Sequence, residues 1–477
     1  MTRFKRTKIV ATLGPATDKE GVLSAMITAG MDVVRLNFSH GTAEDHIRRA
    51  SLVREYAKAA GREIAIMADL QGPKIRIARF KSGKIFLKEG SQFILDADLT
   101  NEAGDEKSVG IDYKNLPKDV QGGDFLLLDD GRLILKVRKV QENKIICKVE
   151  VGGELSNNKG INRKGGGLSA AALTAKDKKD LITAVELNAD YIAISFPRNA
   201  ADMKKARSLL KEAKGKASLI AKIERSDAIP LLDEIIRASD AVMVARGDLG
   251  VEIGDAELPA VQKHIIQRAR SLNKVVITAT QMMESMIHNA IPTRAEVFDV
   301  ANAVLDGTDA VMLSGETATG DHPELVVAAM ARICLGAERQ VKTQVSKHRV
   351  ECQFQRPDEA IAMAAMYTAN HFNIKSIIAF TESGATPLWM SRIRSGIPIY
   401  ALAHSLRTTR RLALYRGVYP IYFDIDSSDN TNNLNELAIQ ELKKRGFLQK
   451  DERILITYGD LFQTQGGTNT LKILEVS

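Results

Sequence analysis

Eight short, β-branched apolar runs, recurring with stretches of helical spacing between them, constrain this chain more than any other feature of it. They are KIVATLG from Lys8, DVVRLNFS from Asp32, IAIMADL from Ile64, DYIAISF from Asp190, SLIAKIE from Ser218, AVMVARGD from Ala241, VVITATQ from Val275 and AVMLSGE from Ala310. A short continuous apolar run reads as a strand buried on both faces, and parallel strands of that kind need helical crossovers. Stretches such as DKEGVLSAMITAG and SDAIPLLDEIIRAS supply them, with apolar residues at helical spacing and polar caps. Eight such units predict a (β/α)8 TIM barrel.

The rhythm breaks once, after Asp69, and resumes about a hundred residues later at TAKDKKDLITAVELNA. The intervening segment reads as β-hairpins, with turn signals at KSGK, DDGR and QENK between strands such as KIFLKEG, GRLILKVRKV and KIICKVEV. A β-barrel-like domain rooted in a βα loop is placed to act as a lid over the barrel mouth. From about residue 345 the rhythm starts again with IKSIIAFTESG, IPIYALA, VYPIYFD and ERILITYG, which predicts a further α/β domain. The expected organisation is therefore 1–70 and 169–342 for the barrel, 71–168 for the lid and 343–477 for the C-terminal domain.

Nearly every barrel run passes from apolar to polar residues at its C-terminal end: Arg35, Asn37 and Ser39; Asp69; Ser195; Lys222 and Glu224; Arg246 and Asp248; Thr280 and Gln281; Ser314 and Glu316. A ring of this kind on one end of a barrel is where barrel enzymes carry their chemistry. Lys222 and Glu224 are two apart on one strand and share a face. A lone strand lysine suggests a Schiff-base aldolase. Here Glu224 and Asp248 add carboxylate oxygens suited to Mg2+, and lysine beside such a metal suits charge stabilisation on a phosphoryl group. Gly247 opens an anion cradle at the start of a helix or loop, and Arg35 can grip phosphate oxygens bidentately. Thr280 and Ser314 place hydroxyls on the same ring, able to relay a proton to carbon.

Composition excludes several alternatives. The net charge of +8 fits small anionic substrates, while an aromatic content of only 5% without interleaved basic residues argues against nucleic acid. Cys147, Cys334 and Cys352 are widely spaced and without a Cys-x-x-Cys pair, as in a reduced chain with no zinc site. No apolar run is long enough for a signal-peptide core or a bilayer span, so a cytoplasmic chain without membrane contact is expected. No GxxxxGK[ST] loop is present, so any nucleotide is held otherwise.

The blocks RLNFSHG, ADLQGPKIR, IAKIE, MVARGDLGVEI, ATQMMESM and VMLSGETA, in this order, resemble the successive signatures of the pyruvate kinase family. The resemblance spans almost the whole chain and implies transfer of the phosphoryl group of phosphoenolpyruvate to ADP, with Mg2+ as cofactor, Mn2+ able to substitute, and a homotetramer. It implies that Lys222 stabilises the group in transfer and that Glu224 and Asp248 ligate the metal. It puts the substrate carboxylate at the backbone of Gly247 and Asp248 and at Thr280, and the phosphate at Arg35. Thr280 and Ser314 become the proton path to C3 of the enolate. Asn37, Phe38, Ser39, His40, Arg76 and Lys159 match nucleotide-contacting positions. A barrel that binds metabolites without turnover is the remaining alternative, and the presence of Lys222, Glu224 and Asp248 speaks against it.

Two departures matter. Leu70 and Lys74 stand where many members carry Thr and Glu, in a monovalent-cation pocket matching Asn37, Ser39 and Asp69, and Lys74 predicts that K+ is not required. Ala385 replaces a residue often polar in the C-terminal loop TESGATP, where Thr381, Ser383, Gly384 and Thr386 suggest a nest for a phosphorylated allosteric effector.

Overall fold

The computed structural model describes residues 4–344, 346, 351–424, 431–459 and 466–477. All eight expected runs form strands, and they close into one parallel barrel. In chain order these are β1 (Lys8–Leu13), β2 (Val33–Asn37) and β3 (Ala65–Asp69). The strands β4 (Lys84–Leu87), β5 (Gln92–Asp96), β6 (Ser108–Gly110), β7 (Phe125–Leu128), β8 (Leu133–Gln141), β9 (Lys144–Val151), β10 (Gly153–Ser156) and β11 (Ile161–Arg163) then make up the insert. The barrel resumes with β12 (Tyr191–Ile194), β13 (Ser218–Ile223), β14 (Ala241–Ala245), β15 (Val275–Ala279) and β16 (Ala310–Leu313), and β16 pairs with β1 to close it. Its interior is filled by Val10, Val33, Ala65, Met67, Ile220, Met243, Ile277 and Met312, all buried, so the barrel is a packed core and no pore.

The base of the barrel carries a repeated device. Asp32, Asp190, Asp240 and Asp309 stand immediately before β2, β12, β14 and β16. Each accepts a hydrogen bond through Oδ2 from the N–H of the second residue of the preceding barrel strand, at Ile9 (2.9 Å), Ile66 (2.8 Å), Leu219 (2.7 Å) and Val276 (2.9 Å). Its own N–H returns a bond to the carbonyl of that same residue, at 2.8 to 3.0 Å. Each carboxylate is matched by a cation: Lys5 and Arg62, Arg54, Arg207 and Arg392 respectively. The reciprocal bonds satisfy backbone groups that a closing strand would leave unpaired at its start.

The insert is a six-stranded sheet, ordered β11-β7-β8-β9-β5-β6, with the β10-β4 ribbon, wrapped round one core that includes Phe93, Leu126, Leu135, Ile145 and Cys147. DDGR and QENK form the β7–β8 and β8–β9 hairpins, with Asp129, Asp130 and Glu142 at positive φ. KSGK makes a turn but no hairpin: β4 pairs with β10, about 70 residues on, and the preceding segment bridges to Gly104. The C-terminal domain holds the expected strands as β17 (Ser376–Phe380), β18 (Ile399–Ala403), β19 (Val418–Tyr422) and β20 (Arg453–Tyr458), which pair in parallel, plus an antiparallel edge strand, β21 (Thr470–Glu475), which the sequence does not announce. No helix among the described residues is long and apolar enough to cross a membrane.

Candidate active site

The barrel strands deliver their C-terminal side chains into one cluster. Lys222, near the end of β13, lies 2.8 Å from Glu224 and 3.3 Å from Asp69 at the end of β3, and donates to Ser195 Oγ at 2.7 Å. Burial alone would favour the neutral amine, yet Asp69 and Glu224 outweigh it and raise the lysine pKa. The ammonium is thus held charged, whereas imine formation requires a neutral amine. This direction speaks against the aldolase alternative.

Asp69 is fully buried and works on both sides. Its Oδ2 accepts from Arg35 Nε at 2.6 Å, and burial, which pushes its pKa up, is overcome by Lys222 and Arg35, so the pKa falls. Arg35 is braced further by Thr12 Oγ1 at 3.1 Å. Glu224 differs: burial raises its pKa against the pull of Lys222, and Asp248 and Asp69 push it further in the same direction. Its Oε2 accepts from the Phe196 amide at 2.8 Å.

Asp248 lies in the first turn of the helix Arg246–Ile253, which begins directly at the end of β14. Gly247 donates its N–H to Thr280 Oγ1 at 2.8 Å, and a Cβ on Gly247 would stand 3.6 Å from that oxygen, narrowing the cradle. Ser314 follows β16, and its N–H is held by Glu316 Oε2 at 2.6 Å. Lys74 reaches Asp248 at 3.1 Å with its side chain 29% exposed, so it turns inward and away from open solvent. Lys74, Asp130, Gly247, Asp248, Thr280, Ser314 and Glu316 line one cleft of about 980 Å3 between lid and barrel.

Other expected residues are distributed less evenly. Arg76 and Lys159 are neighbours at the root of the lid, where Arg76 bridges to Gly160 and Lys159 pairs with Asp129 at 2.7 Å. Asn37, Ser39 and His40 leave β2 together, with the Ser39 N–H on Asn37 Oδ1 at 3.2 Å. The Phe38 ring is buried against His46, centroids 4.2 Å apart, because an apolar ring between polar neighbours gains by packing inward, while its N–H donates to the Asp69 carbonyl at 2.9 Å and its carbonyl accepts from Lys176 Nζ at 2.6 Å. Leu70 is 1% exposed, within the barrel core, and its carbonyl accepts from Ser195 Oγ at 2.7 Å. In the C-terminal loop, Thr381 Oγ1 accepts from the Gly384 N–H at 2.9 Å, and Ser383 offers its carbonyl to Arg411. Thr386 is buried with its hydroxyl 2.8 Å from that of Thr468, so it is committed within the fold and not open to a ligand. Ser195, which joins Lys222 to the Leu70 carbonyl, was seen in the sequence only as a strand exit.

A closed parallel barrel with buried, charged lysine, arginine and carboxylates at its mouth, under a β lid, defines a barrel enzyme acting on small oxyanions. The comparisons with known proteins narrow this class. The description "Pyruvate kinase, barrel domain" matches residues 4–327 and "Pyruvate kinase, alpha/beta domain" matches 359–474. The chain is 57% identical to pyruvate kinase II of Salmonella typhimurium and 55% identical to the pyruvate kinase of Haemophilus influenzae, each over 99% of both chains. It superposes on a crystal structure of a pyruvate kinase from Cryptosporidium parvum with a TM-score of 0.91 and 34% identity, over 99% of this chain and 96% of that one. The chain belongs to the pyruvate kinase family. It is a phosphotransferase that moves the phosphoryl group of phosphoenolpyruvate to ADP, in a family that generally uses Mg2+.

Proposed function

We propose that Lys222 carries the transfer step by stabilising the phosphoryl group in flight, with Arg35 on the phosphate and Gly247, Asp248 and Thr280 on the substrate carboxylate. The observation that carries this reading is the Lys222 ammonium, buried and kept charged between Asp69 and Glu224. A fixed charge in a water-poor site needs no reorganisation as negative charge builds, so it acts on the transition state and not only on the ground state. Thr280 and Ser314 relay the proton to C3. Asn37, Ser39, His40, Arg76 and Lys159 form the nucleotide side, with Phe38 supporting the segment from within.

Glu224 and Asp248 hold the divalent cation, Mg2+ or Mn2+. The donor set fits, since both carboxylates now face ammonium groups and the Glu224 carboxyl is burdened by its acidic neighbours, which a hard cation would relieve. When bound there, the ion would supply positive charge against the oxygens of the group in transfer.

Catalysis proceeds without K+. Lys74 brings an ammonium to Asp248, while the buried Leu70 has no hydroxyl and its carbonyl is already used. The same reading assigns residues 1–70 and 169–342 to the barrel, 71–168 to the lid and 343–477 to the C-terminal domain. It includes a cytoplasmic homotetramer activated by a phosphorylated metabolite at Thr381, Ser383 and Gly384, with Thr386 supporting the loop from within.

The experiment is a coupled assay of pyruvate formation from phosphoenolpyruvate and ADP with Mg2+, in a buffer whose only monovalent cation is a tetraalkylammonium. Full activity is expected, Lys222→Met should abolish it, and Lys74→Glu should lower it and leave it partly recoverable by K+. Strong K+ activation of the unmodified enzyme overturns the role given to Lys74, and an active Lys222→Met enzyme overturns that of Lys222.

A further inference from the structure

Arg246 opens the helix that bears Asp248, one residue before Gly247, and its side chain is buried. The guanidinium reaches across to the end of β15. Nε donates to the carbonyls of Ala279 and Thr280, each at 3.2 Å, and Nη2 donates to Thr280 O at 2.6 Å and Gln281 O at 3.2 Å. Nη1 is anchored on Asp299 Oδ1 at 2.7 Å.

Three consecutive carbonyls therefore converge on one cation. In a regular strand successive carbonyls alternate in direction. They converge here because Thr280 and Gln281 both adopt positive φ, 69° and 53°. For a β-branched threonine that conformation is an outlier, and it persists only where surrounding contacts over-determine it. A planar fork with five donors and a permanent charge can hold such a set of aligned carbonyl dipoles, and a lysine ammonium offers no matching fork. A second tie runs alongside: the Gly247 N–H donates to Thr280 Oγ1, which in turn donates to Ala279 O at 2.6 Å.

We propose that Arg246 is a positioning residue, which locks the Thr280–Gln281 turn in its left-handed form and so sets the Thr280 hydroxyl and the Gly247 backbone in mutual register for the substrate. This rests on the substrate roles proposed above for Gly247 and Thr280. Arg246 acts through the turn, so relief of the backbone strain should substitute for part of what it does. Glycine takes positive φ without steric penalty. Gln281→Gly should therefore make the enzyme less dependent on Arg246.

The test measures kcat and KM for phosphoenolpyruvate in Arg246→Lys, Gln281→Gly and the double variant, with thermal melting as a control for folding. Arg246→Lys retains the charge beside Asp299 but loses the fork, and should lower kcat by about a hundredfold while raising KM. In the Gln281→Gly background the same change should cost about tenfold less. Asp299→Asn, a milder release of the guanidinium, should give a smaller loss that Gln281→Gly again reduces. An Arg246→Lys enzyme with unaltered kcat and KM, or an equal loss in both backgrounds, overturns the proposal. Thr280→Val separates it from the reading beneath: a fully active Thr280→Val enzyme removes the substrate role of the hydroxyl. A disabled Thr280→Val enzyme beside an unimpaired Arg246→Lys enzyme removes only the positioning role.

Discussion

The two ends of the barrel both bury charge, and they do so to opposite effect. At the base, Arg392 and Asp309 are each 0% exposed, and the arginine donors are consumed by Asp309, the Lys274 carbonyl and Ser391. At the mouth, Lys222 is claimed by two carboxylates, Glu224 is pushed toward its neutral form by burial and by its acidic neighbours, and one of those neighbours, Asp248, lines an open cleft. The base is closed electrostatic bookkeeping that ties the C-terminal domain to the barrel. The mouth is left unbalanced, and an unbalanced cluster responds to an arriving anion or cation. Burial of charge alone does not mark a site; incomplete pairing beside a cavity does.

Substitutions at the two ends should therefore separate activity from stability. The largest effect is expected for Lys222→Met, which should lower kcat by about a thousandfold or more even at temperatures where the variant is fully folded. Arg392→Met leaves the Asp309 charge buried and unpaired and should destabilise by about 3–5 kcal/mol in urea unfolding, with kcat at permissive temperature nearly unchanged. If Arg392→Met abolished kcat while the protein remained folded, the two ends would not be independent.

Acid should act on the base in a definite direction. Burial pushes the Asp32 pKa up, but Lys5, Lys8 and Arg62 together bring it below the ordinary value. A depressed folded-state pKa contributes stability above the unfolded value of about 3.9, and that stability is lost as pH falls further. Asp32→Asn should cost about 1–3 kcal/mol at pH 7 and flatten the acid limb of the stability profile. The smallest effect is expected at Asp240, which makes the same backbone bonds but is 37% exposed beside Arg207. Asp240→Asn keeps the acceptor oxygen and should cost less than about 1 kcal/mol. Equal losses at Asp240 and Asp309 would show that burial is not what distinguishes them.

The mouth was more legible in the sequence than the base. Lys222, Glu224 and Asp69 interrupt apolar runs, where a charge is costly without a purpose, so each announces itself. Asp32, Asp190, Asp240 and Asp309 precede such runs, and an aspartate before a strand reads as an ordinary turn residue; their recurrence before alternate strands was the available signal. The partner of Lys74 was hidden because Asp248 is 174 positions away and only closure of the fold joins them. The β21 strand escaped because its residues are largely exposed and alternate poorly, and its pairing with β20 is a tertiary fact. The β4–β10 ribbon escaped for the same reason, since the local turn at KSGK competes with a partner far along the chain.

The aspartate pairs at the base also divide the barrel in a way its closed outline conceals. Each reciprocal bond pair joins one strand to the next, giving four couples: β1 with β2, β3 with β12, β13 with β14, and β15 with β16. The lid is spliced into the second couple, whose ends are riveted at Ile66 and Asp190 beneath it. The graft thus enters above a joint already fastened from below. A chain shorn of its lid and rejoined by a short linker should still close its barrel.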